Sequence, residues 1–195
     1  MIPVGAREVL PHLWAAIGDA DSALPLPLRA SLAATAEEIR DLESRIAAAE
    51  KQLAALAAQI PAVERLLTIP GIGLLTATAL YAFIGDLGRF ASGRHLASFL
   101  GLTPREYSSG CRRRLGRISK RGDRYLRTLL IHGARSVLSR AKQGGTDPDR
   151  LRSWALALQA RVGHNKATVA LANKLARLAW AVWKGQTGYL SAPAA

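Results

Sequence analysis

The chain has one cysteine, Cys111, and only four histidines, which are scattered. One cysteine cannot form an internal disulfide, and the histidines lack the short spacing of zinc ligands. No run of about 18 apolar residues free of charge occurs, and the first residues lack the basic start and apolar block of a signal peptide. The sequence therefore excludes a disulfide scaffold, argues against structural zinc and a membrane partner, and predicts a cytoplasmic protein.

Acidic residues are scarce beyond residue 65. Residues 1–65 carry a net charge of −3 and residues 66–195 a net charge of +16, which together give the overall +13. Such asymmetry indicates a nucleic acid or another anionic surface as the partner. Membrane binding would call for a basic amphipathic helix with bulky apolar residues opposite. Here several basic residues lie instead among glycines, which favours a nucleic acid.

Basic residues are densest over residues 105–127, which contain nine Lys/Arg and only two acidic residues. The same segment contains the adjacent hydroxyl residues Ser108 and Ser109. Cations at this density, interrupted by glycines, let a backbone lie close to phosphates and release their condensed counterions. A basic, solvated surface without a specific partner is the alternative. The candidate nucleic-acid-binding cations are Arg105, Arg112, Arg113, Arg114, Arg117, Lys120, Arg121, Arg124 and Arg127.

A heptad pattern runs through residues 27–64, after two prolines that make a natural start. Apolar side chains recur every seven residues and are interleaved with a second set three positions later, as in a coiled-coil seam. The pattern predicts a long helical arm that either associates with a second copy or links two domains. A helix packed on its own domain remains the alternative. The main seam positions are Leu32, Ile39, Ile46, Leu53 and Ile60.

A tight turn, Pro70–Gly73, divides residues 65–84 into two helices. The N-terminus of the second helix would present backbone N–H groups, which favour an anion. This unit resembles a helix-hairpin-helix motif, which grips the DNA backbone without reading sequence, and Gly71, Gly73 and Thr76 are its candidate contacts. A plain turn between packed helices is the alternative.

The remaining pattern predicts an all-α fold, in which the arm is followed by a compact helical domain that contains the helix-hairpin-helix-like unit. Hydrophobic residues make up 49% of the chain and aromatic residues only 6%, a composition typical of Ala-rich helices. Helices are expected near 92–101, 123–142, 149–162 and 165–184, with a loop at 144–149. The predicted divisions are an N-terminal linker remnant (1–26), the arm (27–64), the C-terminal domain (65–185, with its basic Ser/Gly segment at 103–123) and a tail (186–195).

Three sequence blocks, at residues 69–77, 99–135 and 165–180, resemble the C-terminal domain of the DEDD insertion-sequence transposases. This is the IS-one-ten and IS-one-eleven-eleven class, which includes RNA-guided bridge recombinases and relatives of the pilin-inverting recombinase. The resemblance extends from Leu66 to about Trp183. It implies DNA as a partner, allows a guide RNA as another, and is compatible with a homo-oligomer formed through the arm and with association with the bacterial nucleoid when DNA is bound.

The resemblance also implies a division of labour. In the family, a RuvC-like N-terminal half holds magnesium with four carboxylates, and a serine of the C-terminal half attacks DNA. Family matching places that serine directly before a glycine, so Ser109 is the candidate catalytic residue and Ser108 the alternative. A serine hydroxyl needs a base or metal to take its proton, and nearby cations stabilise the charge on the phosphorus oxygens.

No magnesium-binding carboxylate cluster is evident in the sequence. The acids of the arm suit a solvated helix face, and Asp86, Glu106 and Asp123 lie apart. We therefore expect no cofactor in this chain and magnesium only with the missing N-terminal half, as in a truncated or split transposase. A catalytically dead remnant that binds nucleic acid and dimerises is the alternative, and a basic structural or ribosome-associated protein is a third hypothesis.

Overall fold

The structure, a computed structural model, describes residues 6–19, 22, 24–142 and 149–190. The chain divides into two compact units, Met1–Ala55 and Leu56–Ala195. No helix within the described ranges is both long enough and apolar enough to cross a membrane.

The first unit contains helix α1 (Ala6–Gly18) and most of the long helix α2 (Leu26–Ala57). Arg29 secures the connection between them, because its guanidinium donates hydrogen bonds to the carbonyl oxygens of Asp19 at 2.7 Å and Leu24 at 2.9 Å. The guanidinium of Arg40 lies 5.0 Å from the centre of the Trp14 ring, a cation–π contact. Helix α1 lies within residues 1–26, the predicted linker remnant.

Much of the predicted seam of α2 is exposed. Ile39, Leu42, Ile46 and Leu56 have exposed fractions of 39%, 46%, 58% and 59%, whereas Leu53 is half-buried. The heptad positions up to Leu56 thus fall on one continuous helix and leave an apolar stripe on its surface. Ile60 lies beyond the end of α2 and just before Pro61, so α2 is shorter than the predicted arm.

The second unit is a helical domain with one small sheet. Its helices are α3 (Pro61–Leu67), α4 (Leu74–Ile84), α5 (Gly93–Phe99), α6 (Arg124–Lys142), α7 (Arg150–Val162) and α8 (His164–Gly185), with a 3₁₀ turn at Leu87–Arg89. The strands β1 (Pro104–Glu106) and β2 (Leu115–Ile118) pair antiparallel between α5 and α6.

Helix α8 lies at the centre of this unit and packs against α3, α5, α6 and α7. Its apolar stripe supplies two fully buried leucines, Leu171 and Leu175, which meet Leu130 and Leu138 of α6 in one continuous core. Small side chains fill the spaces between them and let the neighbouring helices approach closely. The buried alanines of α8 are Ala167, Ala172, Ala176 and Ala179.

The turn between α3 and α4 rests on α6 through two glycines. Gly71 has φ +88°, and a Cβ there would lie 2.8 Å from the carbonyl oxygen of Gly133. A Cβ on Gly133 would in turn overlap the carbonyl oxygen of Gly71. Because neither residue has a side chain, the two backbones touch directly, which fixes the turn against α6.

The all-α prediction is confirmed, and the helices near 123–142, 149–162 and 165–184 are present within one residue at each end. The basic Ser/Gly segment at 103–123, for which the all-α prediction included no strand, contains the small sheet. Most of the loop predicted at 144–149 and the last five residues of the predicted tail lie outside the described residues.

Candidate nucleic-acid interface

The basic segment folds into a β-hairpin that projects between α5 and α6. Pairing continues beyond β1 and β2, since the amide of Tyr107 donates to the carbonyl of Arg114 at 2.8 Å. Nearer the tip, Ser109 and Arg112 exchange two backbone hydrogen bonds of 3.1 and 3.3 Å. The two strands are therefore paired up to the last pair of residues before the turn.

Gly110 and Cys111 alone form the tip of the hairpin. Gly110 has φ +55°, and no other residue of Ser109–Arg112 has a positive φ, which fits a type II′ turn with glycine at its first central position. Cys111 is exposed beside it. Ser109 is thus held in the last paired position before the tip.

The cross-strand register separates the two serines. Residues that face each other across an antiparallel pair share a face, and faces alternate along each strand. Tyr107 and Ser109 therefore lie on one face with Arg112 and Arg114. Ser108 lies on the opposite face. An open cleft on the hairpin is lined by Tyr107, Ser109, Arg112, Arg113 and Arg114.

The hydroxyl of Ser108 forms its hydrogen bonds within the hairpin. Its hydroxyl donates a 2.7 Å hydrogen bond to Oε1 of Glu106 and accepts one of 3.0 Å from the backbone N–H of Arg114. No hydrogen bond joins the hydroxyl of Ser109 to another described residue, and its side chain is exposed. Of the two candidates, Ser109 is the one whose hydroxyl is available to a ligand.

The base of the hairpin is anchored to the helical domain. The amides of Ser119 and Lys120 donate to the carbonyls of Thr103 and Gly101 at 2.8 and 3.1 Å. A Cβ on Gly122 would overlap the carbonyl oxygen of Phe99, so the segment that follows β2 lies directly on the end of α5. The tip is exposed while its base is fixed.

Eight of the nine candidate cations of the segment are exposed. They carry positive charge along both strands and into the first turn of α6. Lys120 has φ +55°, a left-handed conformation that costs a non-glycine residue energy. The exposed set is Arg105, Arg112, Arg113, Arg114, Arg117, Lys120, Arg121 and Arg124.

Arg127 is buried, with an exposed fraction of 9%. Its Nη1 donates to the carbonyl oxygens of Leu100 at 3.2 Å, Gly122 at 3.0 Å and Asp123 at 3.4 Å. These bonds join the end of α5 to the start of α6, and we therefore leave Arg127 out of the candidate interface.

The segment predicted to resemble a helix-hairpin-helix motif folds as α3, a turn and α4, but its candidate contacts are divided between buried and exposed positions. Gly71 packs against α6, and Thr76 is buried with an exposed fraction of 7%. Gly73 is exposed and begins α4, where, in the described part of the chain, no side chain caps the helix. Only Gly73 is thus placed to meet a phosphate from solvent.

Among the described residues, no group of three or more His, Cys, Asp or Glu side chains is arranged to hold a metal ion. The carboxylates of the described residues therefore do not form a site that fits a magnesium ion. Glu106, the acid on the hairpin, is engaged with Ser108.

Residues 63–148 match the model of the Transposase IS116/IS110/IS902 family, a span that includes the whole hairpin. Residues 63–148 therefore correspond to the domain of this transposase family.

Named relatives agree with that assignment. "Probable family 20 transposase" of Pseudomonas aeruginosa is 46% identical over 166 residues, or 85% of this chain and 48% of that protein. "Transposase for insertion sequence element IS1111A" of Coxiella burnetii is 43% identical over 152 residues, or 78% and 41%. "Pilin gene-inverting protein" of Moraxella lacunata is 53% identical over 45 residues, or 23% and 14%. The chain spans less than half the length of these relatives.

Proposed function

We propose that this chain is the C-terminal part of an insertion-sequence transposase and that its basic hairpin binds the DNA backbone. The single observation that supports this most directly is the basic segment itself, on which eight exposed cations surround Ser109, whose hydroxyl makes no hydrogen bond to another described residue. Arginine forks and lysine ammonium groups are the usual partners of phosphate oxygens. A hairpin fixed at its base can present them together to one duplex.

Salt dependence of DNA binding tests this proposal. Each phosphate contact releases counterions and contributes about −0.9 to the slope of log K against log salt. We expect a steep slope on duplexes of unrelated sequence, and Arg113→Ala or Lys120→Ala should reduce its magnitude by about one each. Arg161→Ala, at an exposed position on α7, is the matched control and should leave the slope unchanged. Binding that ignores salt would refute the proposal, as would a loss confined to one sequence.

We propose Ser109 as the nucleophile of strand cleavage. Its Oγ would attack a phosphorus atom and form an ester, while the bond from phosphorus to a deoxyribose oxygen breaks and that oxygen takes a proton. The hydroxyl proton of Ser109 must pass to a base, and no described residue accepts a hydrogen bond from that hydroxyl. We therefore assign the base to the part of the relatives that this chain does not cover, and we also propose that magnesium binds there.

Complementation in trans tests the serine. The part of the Coxiella burnetii relative that this chain does not cover would be supplied separately, with magnesium and a nicked duplex. A covalent protein–DNA adduct on a denaturing gel is expected with both polypeptides present. The adduct should disappear in Ser109→Ala and persist in Ser108→Ala. If no adduct forms and Ser109→Ala changes nothing, the catalytically dead, DNA-binding remnant is the better description.

The exposed stripe of α2 supports self-association as a further part of the proposal. Ile46 is 58% exposed at a seam position, and apolar side chains at heptad spacing gain by packing against a second helix. Ile46→Asp should therefore lower the mass measured by light scattering, because it would place a charge in a desolvated seam. Ala48→Asp, an exposed position off the seam, should not. An unchanged mass in both variants would refute self-association.

A guide RNA remains a prediction. RNA of defined sequence that copurifies with the chain and resists washing at a salt concentration that strips random RNA would support it.

A further inference from the structure

A second basic surface lies away from the hairpin, between α5 and α8. The start of α5 presses on α8, since a Cβ on Gly93 would lie 2.9 Å from the carbonyl oxygen of Arg177. This close approach forms an open cleft whose cations are Arg94, Lys174 and Arg177. Its other lining residues are Ser92, Gly93, Leu178, Trp180 and Ala181. None of these residues lines the clefts of the hairpin.

No acidic residue is among those that line this cleft, so none of its lining side chains can neutralise Arg94, Lys174 or Arg177. Lys174 and Arg177 are three positions apart on α8, so they share a helix face, where like charges repel. Burial lowers the pKa of Lys174 below its usual value, and the charges of Arg177 and Arg150 lower it further. The chain thus gathers positive charge at a place where its own described groups do not neutralise it.

Two tryptophan side chains fix α8 against the segments next to it. The ammonium of Lys174 lies 4.0 Å from the centre of the Trp154 ring, a cation–π contact that ties α8 to α7. The indole N–H of Trp180 donates to the carbonyl oxygen of Phe90 at 3.1 Å, just before α5. The cleft therefore has fixed walls, and Arg94 and Arg177 extend from them into solvent.

We propose that this cleft is a second nucleic-acid site, which binds the phosphodiester backbone of a strand through Arg94, Lys174 and Arg177. Phosphate oxygens supply the negative charge that the cleft lacks, and two guanidinium forks can each hold two of them. DNA and RNA share this chemistry. The inference goes beyond the proposed function, since it does not require the hairpin to bind DNA.

Charge-neutralising pairs test the two sites separately. Arg94→Gln/Arg177→Gln would be compared with the hairpin pair Arg112→Gln/Arg113→Gln and with the control Arg161→Gln, using duplex DNA, single-stranded DNA and RNA of one length. The cleft pair should lower the magnitude of the log–log salt slope by about two, and loss of each contact should weaken binding roughly tenfold at 0.1 M salt. Equal melting temperatures would show that the variants fold alike.

The outcomes separate the two proposals. If only the hairpin pair changes the slope, the cleft proposal is wrong and the proposed function stands. If only the cleft pair changes it, the hairpin proposal is wrong. An effect of the cleft pair on one type of strand alone supports the site and identifies its ligand.

Chemical footprinting gives a second measurement that needs no substitution in the cleft. In the Arg112→Gln/Arg113→Gln background, bound nucleic acid should protect Lys174 from acylation, as measured by mass spectrometry. Lys166, exposed near the start of the same helix, is the control. Equal acylation of Lys174 with and without saturating nucleic acid would overturn the proposal.

Discussion

Gly71 and Gly133 meet backbone to backbone, although 62 positions separate them in the chain. The carbonyl oxygen of Gly71 occupies the space that a Cβ on Gly133 would fill. The turn that opens α4 is thereby held on the middle of α6. This contact explains why Gly133, a residue of poor helix propensity, lies in the interior of α6.

Gly133→Ala should destabilise the protein by about 1–3 kcal/mol, the usual cost of overpacking a tight contact. In an exposed helix the same change would stabilise the protein by up to about 1 kcal/mol. The predicted change in folding free energy is therefore opposite in sign to the change that helix propensity alone would give. Urea denaturation measures the difference. Gly185→Ala, where the nearest atom would lie 3.5 Å from the new Cβ, is the control and should not destabilise. Equal midpoints in Gly133→Ala and the wild type would contradict the contact.

Arg127→Met should cost about 2–4 kcal/mol of folding free energy, because it removes charge-assisted hydrogen bonds and leaves buried carbonyl oxygens without a partner. The salt slope of DNA binding should not change at temperatures where the variant is folded. Arg124→Met, a change at an exposed position three residues earlier, should show the reverse. It should have little effect on stability and should reduce the magnitude of the salt slope. A reduced slope in Arg127→Met would restore that residue to the interface.

Ser108→Ala should loosen the hairpin, since it removes the acceptor of the Arg114 amide and the donor to Glu106. Loss of about 1 kcal/mol corresponds to roughly fivefold faster exchange of the Arg114 amide hydrogen, which NMR can follow. Ser109→Ala removes no hydrogen bond within the described chain and should leave that amide unchanged. Identical exchange rates in the two variants would remove the structural role assigned to Ser108.

Lys120→Gly should separate stability from binding at one position. Glycine adopts the left-handed backbone of this residue without strain, so we expect a gain of about 1 kcal/mol. The same change removes one phosphate contact and should lower the magnitude of the salt slope by about one. Lys120→Ala serves as the comparison, because it loses the charge without relieving the backbone. A stability gain that is equal in the two variants would rule out strain as its cause.

The helices were predictable because their apolar positions recur at helical spacing. Leu171, Leu175 and Val182 of α8, for example, are all buried. The hairpin was not predictable in this way. Both of its faces are exposed, so no alternation of apolar and polar residues marks its strands. The available signal was Gly110, a glycine at the first position of a two-residue turn.

The candidate site was predictable only in part. Charge density and the serine–glycine pair identified the segment, but the sequence could not distinguish Arg127 from its exposed neighbours. Its partners are carbonyl oxygens of Leu100 and Gly122, which no side-chain pattern reveals. The second cleft was equally hidden, since Arg94 and Arg177 come together only when α5 meets α8.

The turn of the hairpin also provides a natural reporter. Cys111 is the chain's only cysteine and is exposed two positions from Ser109. A maleimide dye or nitroxide will therefore attach at one place, on the wild-type protein, without removal of other thiols. Fluorescence transfer or dipolar distances from that label to a marked duplex would show where along the DNA the proposed nucleophile lies.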